Sequence, residues 1–132
     1  MTPLSSSSSQ SYVKDPRNDG VEIYVNGEFF SRDEAKVSIF DAGFVLGDGV
    51  WEGIRLINGK LLAIDEHIDR LFEGARSIQL DIGHDKAGLI EEIWKVLRHN
   101  KMEDGVHIRM MISRGRKSTP NQDPRFIIAV PP

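Results

Sequence analysis

The sequence predicts an α+β fold: an antiparallel sheet with hairpins and two helices packed on one face. Three observations carry this. Asn26-Gly27 and Asn58-Gly59 each sit between short apolar runs, the strongest local signal of a two-residue hairpin. Ile68 to Ile78 and Leu89 to Leu97 carry apolar residues at the helical period. Two further apolar runs, Val106 to Ser113 and Phe126 to Val130, read as strands following the helices.

The elements follow in chain order. Residues 1–20, with serines from Ser5 to Ser9, offer too little apolar surface to offset ordering entropy, so a disordered arm is expected. The arm lacks a signal peptide's apolar core, and Asp15 and Asp19 argue against a transit peptide, which makes a cytoplasmic protein the expectation. Val21–Val25 and Glu28–Phe30 form the first hairpin. Ala35, Val37 and Ile39 alternate with polar residues and predict a half-exposed strand. Gly43, Gly47 and Gly49 make the next segment too glycine-rich for a regular element. Val50–Ile57 and Lys60–Ile64 form the second hairpin. Asp65 is the expected N-cap of a helix running to about Gln79, with Glu66 and Asp69 in its first turn. A second helix starts near Asp85, and Asp104-Gly105 turns the chain into the strand from Val106. Arg114 to Pro124 is a polar loop before the last strand. The predicted domain occupies residues 21–130, and Pro131-Pro132 starts a linker.

Composition narrows function. A chain of 132 residues has room for one domain. With no cysteine, disulfides and thiolate zinc sites are excluded. The net charge of −3 and the lack of a basic stripe argue against nucleic acid, and the apolar runs are too short to span a bilayer. His67, His84, His99 and His107 are scattered without ligand spacing, so no metal is expected. Neither a P-loop nor a G-x-S-x-G elbow is present, and Asp48 and Glu52 do not make a convincing acid–base pair.

Two patterns remain. His67 and Arg70 are three apart and share a helix face away from the Ile68–Leu71–Phe72–Ala75 stripe. A fixed guanidinium can grip a phosphate, although spacing alone favours a surface arginine paired with Glu66 or Glu73. Trp51, Gly53 and Arg55 share one strand face, as do His107 and Arg109. Such faces can line a pocket or simply hold a packed tryptophan beside surface cations.

The segment from His67 to Leu71 resembles the His-x-x-Arg-Leu motif of the fold-type IV, pyridoxal-phosphate-dependent aminotransferases, and the resemblance extends over residues 21–130. Gly49 to Arg55 is similar to the branched-chain aminotransferase signature, which usually carries Phe or Tyr where Trp51 stands. His107-Ile108-Arg109 falls where those enzymes commonly have Tyr-x-Arg. The Arg-x-His carboxylate trap of D-amino-acid aminotransferases is absent from Arg114 to Asp123. The resemblance implies pyridoxal 5'-phosphate as cofactor, its phosphate held by Arg70, with His67 supporting the arginine. It assigns Trp51, Gly53, Arg55, His107 and Arg109 to the substrate side. It further implies a homodimer acting on an amino acid, branched-chain or similarly apolar, and a 2-oxo acid.

The family's cofactor lysine lies in a second domain, expected beyond Pro132. Lys14, Lys36, Lys60, Lys86, Lys95, Lys101 and Lys117 all fall on coil or polar faces. No catalytic residue is therefore assigned within this chain. D-amino-acid or (R)-amine transamination, aminodeoxychorismate lyase activity and a non-catalytic dimerising or binding domain are the alternatives.

Overall fold

The structure is a computed structural model, and it describes residues 15–116. Pro16–Asn18 make a 3-10 turn whose first backbone N–H groups are capped by Asp15, so regular structure starts before Val21. Strands β1 (Glu22–Val25) and β2 (Glu28–Ser31) pair antiparallel about Asn26-Gly27. Both turn residues have positive φ, 51° and 88°, as a primed two-residue turn requires.

The structure then departs from expectation. Residues 35–39 form no strand, and Val37 and Ile39 are 65% and 66% exposed. Alternation supplies a face, but a strand also needs a partner for its backbone groups, and none of the described residues pairs with this segment. The glycine-rich segment is a short helix instead, α1 (Ala42–Leu46). Asp41 caps it by accepting from the Gly43 N–H, and Gly47 ends it in the left-handed conformation.

Strand β3 (Gly49–Ile57) turns through Asn58-Gly59 into β4, which is only Lys60–Leu61. The chain then swings at Ala63, φ 50°, into α2 (Ile64–Ser77), two residues shorter at its end than expected. Asp65 is thus not the N-cap. It lies in the first turn with Glu66, where both carboxylates complement the helix dipole without a side-chain cap. Helix α3 (Lys86–His99) is capped by Asp85 as predicted, and β5 (Val106–Ser113) returns antiparallel to β3. The strand at 126–130 and the linker lie outside the described residues.

Among the described residues the strands form a β1–β2 ribbon and a three-stranded antiparallel sheet ordered β4-β3-β5. Both long helices cover one face of the larger sheet. Ile54, Leu56, Met110 and Ile112 from the strands meet Ile68, Leu71 and Ala75 of α2 and Leu89, Ile93 and Leu97 of α3. Burying each of the leucine, isoleucine and methionine side chains contributes about 1.5–3 kcal/mol. A close backbone approach fixes Gly49 at the start of β3, since a Cβ there would lie 2.7 Å from the Ile112 carbonyl oxygen.

The ribbon docks on the end of α3. Asn100 accepts from the Glu22 N–H and donates to its carbonyl, the Phe29 ring stacks on His99 at 3.6 Å, and the Tyr24 hydroxyl donates to Glu92. Burial, with Glu92 as a further cause, pushes the Tyr24 phenol up to about 12. The neutral phenol is the form the fold favours, so this stability is complete below the unfolded value and fades as pH rises towards the folded one. Between about pH 10 and 12 the loss should be at most ~2–3 kcal/mol. Tyr24→Phe is expected to flatten that alkaline limb in denaturant titrations, while an unchanged limb would assign it to other groups.

Candidate active site

Within the β3–β5 pair, Gly53 lies opposite Arg109 and Arg55 opposite His107. Strand alternation therefore turns Trp51, Gly53 and Arg55 to the same face as His107, Arg109 and Met111. The opposite face carries the core residues Ile54, Leu56, Met110 and Ile112. The five residues assigned to the substrate side thus share one open surface, where Trp51 is 58% exposed. The Arg109 guanidinium carbon lies 4.6 Å from the centre of the Trp51 ring, a cation–π distance. Gly53 leaves room for the neighbouring imidazole: a Cβ there would stand 3.3 Å from His107 Nε2. The only carboxylate on these two strands, Glu52, points the other way. An aromatic surface bordered by two guanidiniums and an imidazole suits a ligand with an apolar body and an anionic end.

Arg70 belongs to the helix-covered side. Its partner is Glu52, rather than Glu66 or Glu73. Nε donates to Glu52 Oε1 at 2.6 Å and Nη2 to Oε2 at 2.7 Å. His67 Nδ1 lies 2.7 Å from the same Oε2. The Glu52 side chain is only 2% exposed, whereas that of Arg70 is 70% exposed. The Arg70 hydrogen bonds, followed by the one with His67, hold the Glu52 carboxyl below its ordinary value although burial opposes them. The six candidates therefore fall into two groups on opposite faces of β3.

A third cluster pins the corner between them. Arg114 Nε donates to Asp48 Oδ2 at 2.7 Å, and its other nitrogens reach the carbonyls of Ile78 and Gln79 at the end of α2. The Ser113 hydroxyl donates to Asp41 Oδ2 at 3.0 Å. Asp48 is thus an ion-pair partner, and Glu52 is committed elsewhere. Among the described lysines, Lys36, Lys60, Lys95 and Lys101 are exposed. Lys86 pairs with Asp69 and Asp65, and the Asp69 hydrogen bond first of all raises its pKa and keeps it charged. No described group of His, Asp and Glu side chains could hold a metal ion, and no described helix is long and apolar enough to cross a membrane.

The family model "Amino-transferase class IV" matches residues 49–132, from the first residue of β3 onward. The chain belongs to the class IV aminotransferases. Among curated members, it is 41% identical over 118 residues to a putative branched-chain-amino-acid aminotransferase of Methanocaldococcus jannaschii, covering 84% of this chain and 40% of that protein. It is 45% identical over 94 residues to a D-alanine aminotransferase of Staphylococcus aureus, covering 71% and 33%. The branched-chain aminotransferase of the thermophilic archaeon Thermoproteus uzoniensis, solved with norvaline, superposes with a TM-score of 0.69 at 26% identity, covering 83% of this chain and 38% of that one. The chain therefore spans about two fifths or less of the length of these class IV relatives.

Sequence reasoning grouped the open-face residues of this class IV chain and set Arg70 apart, but missed Glu52 as Arg70's partner. The available signal was parity: Glu52 sits between Val50 and Ile54 at a core-facing position of β3, where a charge needs a partner from the covering helix. The Asp48–Arg114 pair, distant in sequence, had no local signal.

Proposed function

We propose that this chain forms part of a pyridoxal-phosphate-dependent transaminase acting on an apolar amino acid, branched-chain or similar, and a 2-oxo acid. The observation that carries the reading is the β3–β5 register, which places Trp51, Gly53, Arg55, His107 and Arg109 on one open face. Arg70 fits the cofactor phosphate: its side chain is exposed, anchored along one edge, and has donors to spare. Bound pyridoxal phosphate supplies an electron sink for the charge left on the substrate's α-carbon.

In this reading Arg70 holds the phosphate end. The Trp51 ring excludes water along the apolar part of the substrate, and the His107 imidazole, seated against Gly53, lines the surface beside it. Arg109 and Arg55 attract and orient a carboxylate. The lysine that carries the cofactor lies outside the described residues, because the described lysines lack the desolvation that a reactive amine needs. A homodimer is part of the proposal. Phe44, Val45 and Leu46 of α1 are 72%, 51% and 58% exposed, and Phe44 lines one cleft with the exposed Met111, apolar surface that a second copy can cover.

The relative from Staphylococcus aureus favours a second reading, with a D-amino acid as donor. A donor panel on the full-length protein decides between them. L-leucine, L-isoleucine and L-valine should turn over with a 2-oxo acid acceptor much faster than D-alanine. Faster turnover of D-alanine would establish the second reading, and acceptor-independent pyruvate release from aminodeoxychorismate would replace both with a lyase.

A further inference from the structure

We propose that Glu52 is a positioning residue: it grips the Arg70 guanidinium along one edge and so presents the other edge, end-on, to the cofactor phosphate. This rests on the reading of Arg70 given above. A guanidinium has five N–H donors. Glu52 takes the Nε donor and one on Nη2, at 2.6 and 2.7 Å. The three that remain include one on each of Nη1 and Nη2 that run parallel, the fork that matches two phosphate oxygens. Among the described residues, no other acceptor engages Arg70.

The anchor is firm where the presented edge is open. Glu52 is 2% exposed and sits on β3 between core residues, and His67 Nδ1 braces the same carboxylate oxygen at 2.7 Å. Arg70 projects from α2 with most of its surface in solvent, and an unbraced arginine there would sample many rotamers. A plain staple between β3 and α2 is the competing role. It explains less, because apolar residues of similar volume hold buried positions as well as an ion pair does, or better. Charge alone makes the opposite prediction: a carboxylate near a phosphate repels it, so removing the carboxylate would tighten binding.

The test compares pyridoxal phosphate with pyridoxal, which lacks the phosphate, by titrating the full-length apoprotein with each. Glu52→Gln is expected to weaken pyridoxal phosphate binding by roughly tenfold and to leave pyridoxal binding unchanged. In an Arg70→Ala background the same substitution should cost nothing further, since Glu52 acts through Arg70. Unchanged or tighter pyridoxal phosphate binding in E52Q, with R70A still impaired, would overturn the positioning role and leave Arg70's role standing. Equal losses for both ligands in E52Q would reduce Glu52 to a staple. If R70A itself left the ratio of the two affinities unchanged, the phosphate role of Arg70 would fall. Should E52Q not fold, Glu52→Asp, which keeps the charge but withdraws it by one methylene, is read by the same ratio with the same expected loss.

Discussion

Arg70→Ala in the full-length protein is expected to weaken pyridoxal phosphate binding by about 100-fold, through loss of two charge-assisted hydrogen bonds, while pyridoxal binding changes little. The ratio of the two affinities isolates the phosphate. The substitution has a second consequence, in acid. In the native chain Glu52 is held below the ordinary carboxylate value, chiefly by Arg70. Its contribution to stability is therefore complete above the unfolded value and is lost as pH falls through the depressed folded one. Without Arg70 the buried carboxylate keeps only His67, so the depression lessens and that acid limb should shrink or reverse. Acid titrations followed by circular dichroism would show it, and an identical limb in both proteins would remove Glu52 as its source.

Leu71→Ala, one residue along the same helix, should have the opposite signature. Leu71 is 2% exposed in the core beneath β3. Truncation there should cost about 2–5 kcal/mol in urea unfolding, against the roughly 5–15 kcal/mol that holds a typical domain together. Once the protein is folded, its preference for pyridoxal phosphate over pyridoxal should be unchanged. A selective loss of phosphate affinity in L71A would mean that the two faces of α2 are not independent.

Much of this arrangement was legible in the residues because the signals were local. Asn26-Gly27 and Asn58-Gly59 specify their turns through backbone conformation alone, and Asp85 caps α3 as read. The grouping of Trp51, Gly53 and Arg55 needs only strand alternation. That His107 and Arg109 join them depends on the β3–β5 register, set by packing of Ile54, Leu56, Met110 and Ile112 under the helices. The failures have a common cause. Residues 35–39 have the alternation of a strand but no partner among the described residues, and α1 forms in a glycine-rich stretch because Asp41 caps it and the corner packs against Ser113. Glu52 with Arg70, and Asp48 with Arg114, are contacts between segments far apart in the chain. Nothing in the spacing of those residues names their partners.

The most direct measurement is a single half-reaction. The full-length protein is loaded with pyridoxal phosphate and mixed with L-leucine in the absence of any acceptor. Transamination predicts conversion of the cofactor to pyridoxamine phosphate with release of the matching 2-oxo acid in equal amount. An unchanged cofactor with L-leucine and with every other amino donor of the panel would contradict it.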